Sequence, residues 1–86
     1  MARIFNIYFN HDNVTYHAVV SVHSTPLYTE YSINNINEDL LATLPGNKII
    51  SLSPEHFVFQ HAQRHHSIIL MDAIIVAVKD HVHTQA

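Results

Sequence analysis

Apolar and polar residues alternate along the first third of the chain, and this alternation predicts β-strands. It is clearest over residues 15–23, where four apolar positions share one face and mostly polar residues share the other. A period of two is typical of a strand with one buried face. Residues 3–9 are rich in Ile, Phe and Tyr, and the polar residues 11–13 predict a turn after them. We therefore expect a hairpin, followed by a third strand over residues 27–33.

The middle of the chain allows two interpretations. Asn37 could cap a short helix whose first turn carries Glu38 and Asp39. Alternatively, residues 40–44 form a strand that pairs with residues 48–52 across the Pro-Gly turn between them. We favour the hairpin, because it continues the antiparallel meander.

The segment after residue 53 is also ambiguous. Ser53, Pro54 and Glu55 are typical of a helix start, and a single helix could run from there to about residue 82. Residues 56–60 are instead aromatic and β-branched, which favours a strand. A helix of about thirty residues would also be long for so small a chain. We therefore predict a last strand over residues 56–60 and a helix over about residues 62–82.

The predicted helix carries more apolar surface than the cover of a sheet needs. One stripe is formed by Ile68, Met71, Ile75, Val78 and Val82, and it is widened by Leu70, Ile74 and Ala77. Ile69 and Val76 lie on the other side, between the polar residues His65, Asp72 and Lys79. The helix could lie in a deep groove, or Ile69 and Val76 could form an interface with another subunit.

These elements predict an α+β fold. We expect an antiparallel meander of four to six strands with one long C-terminal helix packed on one face. The 86 residues suffice for a single domain over residues 1–86.

The charge of the chain is low and weakly acidic. Four Lys and Arg stand against seven Asp and Glu, for a net charge of −3. The four basic residues are scattered, which argues against nucleic-acid binding, because phosphate contacts need a basic patch. Charged residues make up 13% of the chain, about half the usual fraction, and this favours self-association as a homodimer.

The longest apolar stretch, residues 68–78, is interrupted by Asp72 and is shorter than the roughly 20 residues of a membrane span. The first residues lack the apolar segment of an export signal. We therefore expect a cytoplasmic protein that does not enter a membrane.

Nine histidines are present, and two of them have the spacing of metal ligands. His61 and His65 are four residues apart, which places them on the same side of a helix, where they could chelate a divalent metal. A closed zinc site needs four ligands, and the sequence does not show where the others would come from.

Motifs for catalysis are missing from the sequence. It contains no cysteine and no Gly-x-Ser-x-Gly motif, and one glycine is too few for a phosphate-binding loop. The sequence thus favours a small non-catalytic interaction module that self-associates, without a cofactor. The alternatives are a histidine-based metal-binding protein and a small-ligand binder with a pocket between sheet and helix.

Overall fold

The computed structural model describes residues 3–53, 55–60 and 68–85. Within these ranges the chain forms five strands and two helices. The elements are, in chain order, β1 (Arg3–His11), β2 (Val14–Ser24), β3 (Thr29–Asn34), α1 (Glu38–Leu41), β4 (Lys48–Ser53), β5 (His56–Phe59) and α2 (Ile68–Gln85).

The five strands form one antiparallel sheet in the order β1-β2-β3-β4-β5, so the predicted meander is confirmed. The turn between β1 and β2 consists of Asp12 and Asn13, with φ angles of 52° and 63°. Positive φ at both positions of a two-residue turn matches the twist of the strands it joins. The alternation predicted over residues 15–23 is also confirmed, because Ala18, Val20 and Val22 are all buried.

The strand favoured over residues 40–44 is wrong, and the short helix is correct. The Asn37 side-chain oxygen accepts hydrogen bonds from the backbone N–H groups of Asp39 at 2.8 Å and Leu40 at 3.4 Å. Such a cap satisfies donors that the first turn of a helix leaves free. Leu40 and Leu44, four residues apart, both reach the core from this conformation.

The predicted last strand is confirmed, since β5 covers four of the five residues assigned to it. The predicted start of the C-terminal helix near residue 62 lies outside the described residues. The helix α2 continues past residue 82 to Gln85.

The sheet curls around α2. The helix packs against both β1 and β5, which are the first and last strands of the sheet. In a flat sheet these strands would lie about 19 Å apart, whereas a helix with its side chains is only about 10–12 Å across. Both edge strands therefore flank the helix.

The face of α2 that enters the core overlaps the predicted stripe in part, since Met71 and Val78 of the stripe are buried together with Leu70 and Ile74, which were predicted to widen it. Leu70, Ile74 and Val78 are completely buried, whereas Ile68 is 63% exposed and Ile75 is only partly buried. Because α2 is apolar over more than half of its circumference, the sequence pattern does not define which part of that surface faces the sheet.

This orientation can be tested with two matched substitutions. Ile74→Ala should lower the free energy of unfolding by roughly 2–5 kcal/mol, because it removes a fully buried side chain. The same change at Ile68 should alter it by less than about 0.5 kcal/mol. Urea denaturation followed by circular dichroism measures both values, and equal losses would contradict this orientation of α2.

Candidate functional site

The described residues contain no group of three or more His, Asp or Glu side chains placed to hold a metal ion. His61 and His65, the predicted metal ligands, lie outside the described residues, so their role stays a prediction. Several of the described histidines make local contacts. The His81 ring stacks on Phe5, with centroids 3.9 Å apart and planes at 4°, and His17 Nε2 is 2.8 Å from Asn6 Oδ1.

The space between sheet and helix, where a ligand pocket was predicted, holds core side chains. Ile33, Ile49 and Ile74 meet there and are completely or almost completely buried. A depression of about 350 Å³ lies at one end of the sheet and is lined by Tyr31 among others. Burial raises the pKa of Tyr31, and Arg3 opposes this rise. The Tyr31 hydroxyl therefore stays neutral near pH 7 and can act there only as a hydrogen-bonding group.

A second depression separates β1 from α2 and has a volume of about 440 Å³. We call it the β1–α2 groove. Its lining residues are Tyr8, Phe9, Asn10, Ile69, Asp72, Ala73, Val76, Ala77 and Asp80.

The apolar side chains around the β1–α2 groove are strongly exposed. Ile69 is 77% exposed, Val76 55% and Tyr8 66%. Ile69 and Val76 are two helical turns apart and therefore lie on one face of α2. Ala73 lies between them and is small, so a partner surface could approach the helix closely there. The groove is an apolar surface that water covers in the isolated chain.

Among the described residues, no strand pairs with the backbone of β1 on the side away from β2. One hydrogen bond shows which backbone groups of each strand point to which neighbour. Ile33 N donates to Asn47 O at 2.7 Å, so the N–H and C=O groups of Ile33 and of every second residue before it in β3 point toward β4. The other residues of β3 therefore pair with the odd-numbered residues of β2, which leaves the even-numbered residues of β2 to bond to β1. In the register of β1 with β2 these are opposite the odd-numbered residues of β1, whose backbone N–H and C=O groups therefore point toward β2. The N–H and C=O groups that point outward belong to Ile4, Asn6, Tyr8 and Asn10. No described residue pairs with them as a neighbouring strand.

Within the described residues, the edge formed by β1 lacks most of the features that usually protect an edge strand, its one charged residue being Arg3 at the start. It is nine residues long, contains no Pro or Lys, and pairs with β2 without a bulge. Natural proteins usually shorten, charge or interrupt such edges, because they can pair with another chain. By contrast, β5 at the opposite edge has four residues and follows a register shift between Ser51 and Ser53. Of the two edges, β1 is the more open to pairing.

Charged groups lie at both ends of β1. Arg3 begins the strand and Asp12 follows its last residue. His11 Nε2 is 3.5 Å from Asp12 Oδ2, whereas His11 Nδ1 is buried and has no hydrogen-bond partner among the described residues. The strand therefore has a positive start and a negative end, with an unsatisfied nitrogen at the negative end.

Sequence reasoning identified Ile69 and Val76 but missed Tyr8 and the edge of β1. The alternation in β1 shows that its even-numbered side chains face outward, but not that β1 is an edge strand. That property depends on the order of strands in the sheet, which is set by contacts distant in sequence.

Comparisons of the chain with protein-family models, with curated proteins and with solved structures found no match. No helix within the described ranges is long and apolar enough to cross a membrane.

The unpaired edge makes a testable prediction for amide hydrogen exchange. In a dilute sample the amides of Asn6 and Tyr8 should exchange at least about tenfold faster than those of Ile7 and Phe9, because only the latter pair donates to β2. Nuclear magnetic resonance resolves the individual amides. Similar exchange rates for both pairs in the dilute sample would contradict the assignment of the odd-numbered amides of β1 to hydrogen bonds with β2.

Proposed function

We propose that this protein is a non-catalytic interaction module that self-associates as a homodimer through the β1–α2 groove. One observation carries the proposal: an unprotected nine-residue edge strand runs beside the helix face on which Ile69 and Val76 are exposed. The expected cytoplasmic location stays a prediction.

Two adjacent surfaces, the free edge of β1 and the exposed face of α2, could bind the same partner. The edge of β1 offers backbone donors and acceptors, and the exposed face of α2 offers apolar side chains. Full burial of a Val or Ile side chain contributes roughly 1.5–3 kcal/mol, while strand pairing supplies directional bonds that fix the orientation of the partner. Because the two surfaces adjoin, one partner can cover both.

A second copy of the chain is the partner that these surfaces fit. In a two-fold dimer the same patch is used by both copies, so it must be complementary to itself. An edge strand meets this condition, because an antiparallel copy of it presents the same alternation of donors and acceptors. The low charged fraction of the chain also limits repulsion between two copies.

The exposed side chains on α2 provide the first test. The double variant Ile69→Ser/Val76→Ser should raise the dimer dissociation constant at least about 100-fold, since each 1.4 kcal/mol lost is a factor of ten. Sedimentation equilibrium measures the constant, and circular dichroism checks that the variant is folded.

Leu27 and Val58 offer a matched control, because they are 81% and 52% exposed but lie away from the groove. The variant Leu27→Ser/Val58→Ser should leave the dissociation constant within about threefold of the original value. An unmodified protein that is monomeric at high micromolar concentration would refute the proposal, as would an equal effect of the two double variants.

The charge of Asp72 provides a second test. Asp72 lies between Ile69 and Val76 on the helix face of the groove, so a dimer brings like charges together. Asp72→Asn should lower the dissociation constant about 1.4- to fivefold, because exposed charge interactions are worth roughly 0.2–1 kcal/mol. Asp39→Asn removes the same charge from the exposed α1 and should have no such effect. Equal changes for both variants would show that only net charge matters.

A further inference from the structure

We propose that the two copies join β1 to β1 in an antiparallel register whose two-fold axis passes beside Ile7. This inference rests on the proposed homodimer and specifies how its subunits meet. The two sheets become one continuous sheet of ten strands, and both α2 helices lie on the same face of it, because the axis is perpendicular to the sheet.

The backbone selects this register. Only Ile4, Asn6, Tyr8 and Asn10 direct their N–H and C=O groups to the free edge, so these residues must pair with one another. With the axis beside Ile7, Ile4 lies opposite Asn10 of the second copy, and Asn6 lies opposite Tyr8 of the second copy. Each of these pairs exchanges two hydrogen bonds, and no outward-facing residue is left over. Moving the axis to Asn6 or to Tyr8 leaves one of the four without a partner from β1.

Charge complementarity also favours this register. The pairing places Arg3 of one copy opposite His11 of the other, next to Asp12. The Arg3 guanidinium is positively charged and the strongly exposed Asp12 carboxylate is negatively charged, so opposite charges adjoin at both ends of the paired strands. A parallel arrangement would instead place the two Arg3 side chains together.

The position of the helix agrees with the same axis. His81, near the end of α2, stacks on Phe5, near the start of β1. Ile69, at the start of α2, lines the groove together with Asn10, near the end of β1, so the helix and the strand run in opposite directions. Five residues back along a helix is about 7.5 Å, and two residues onward along a strand is about 6.8 Å. Val76 therefore lies about level with Ile7, so that the Val76 side chains of the two copies face each other across the axis.

Disulfide cross-linking tests the register, and the absence of native cysteine makes each introduced thiol unambiguous. An equimolar mixture of Asn6→Cys and Tyr8→Cys chains should give a mixed disulfide dimer on mild oxidation. In the proposed register the two Cα atoms are about 5.5 Å apart, within the range of about 4.4–6.8 Å that a disulfide spans. Two copies of the same variant place their Cα atoms about 9 Å apart, two residues out of register.

Mass spectrometry distinguishes the mixed dimer from the two self-linked dimers. The mixed dimer should exceed either self-linked dimer at least about tenfold. A mixture of Asn6→Cys with Leu27→Cys, which lies on a distant exposed loop, gives the background from random collisions. If a cysteine variant fails to fold, the pair Ile4→Cys and Asn10→Cys tests the same register.

The outcomes separate this inference from the proposed dimer. Self-linked Asn6→Cys or Tyr8→Cys as the main product would overturn the register. A dimeric mass by light scattering with no cross-link above background would overturn pairing through β1 while leaving the homodimer. A monomeric mass for the unmodified protein would overturn both. In the unmodified protein, protection of the Asn6 and Tyr8 amides should appear only as the concentration rises, and unchanged exchange in a dimeric sample would count against the inference.

Discussion

The burial of one face of α2 in the concave side of the sheet is the interaction on which the other features depend. Leu70, Ile74 and Val78 lose all contact with water there, and burial of this extent requires the sheet to curl until both of its edge strands flank the helix. The curl also determines what the helix leaves uncovered. The face of α2 beside β1 cannot be reached by the inner face of the sheet, so Ile69 and Val76 stay exposed next to the one long edge.

The helix α2 has more apolar residues than its contact with the sheet requires. A helix that only covers a sheet needs about a third of its circumference apolar. Polar residues on the rest of its surface would be hydrated and would not weaken its packing on the sheet. This helix is apolar over more than half. Single exposed apolar residues are normal on protein surfaces, but Ile69 and Val76 lie on one face of α2, beside the outward backbone groups of β1. An apolar patch and an open strand edge both favour association, and their adjacency makes a common partner the simplest explanation for both.

The sequence predicted those parts of the structure that depend on local pattern. The strands follow from alternation and from the turn residues at positions 12 and 13, and both signals act over a few residues. The error over residues 40–44 arose because a short run containing three leucines fits a strand or a helix equally well. The choice was made by the hydrogen bonds of Asn37 and by the burial of Leu40 and Leu44. The rotation of α2 could be predicted only in part, because polar residues mark too little of its circumference: the buried residues lie on the predicted apolar side, but Ile68 of the same stripe is exposed. The edge of β1 could not be predicted either, since strand order is a property of the whole sheet.

Three of the histidines, the most unusual feature of the composition, make local structural contacts. His81 stacks on Phe5, His17 bonds to Asn6, and His83 Nε2 is 3.8 Å from Glu55 Oε1. His11 differs, because one of its ring nitrogens is buried without a described partner at the negative end of β1. A foreign strand pairing with this edge would have to match the outward backbone groups of β1. In the proposed dimer the antiparallel copy of β1 does so and also places Arg3 beside the exposed Asp12, and this self-complementarity is the physical reason to regard the chain as its own partner.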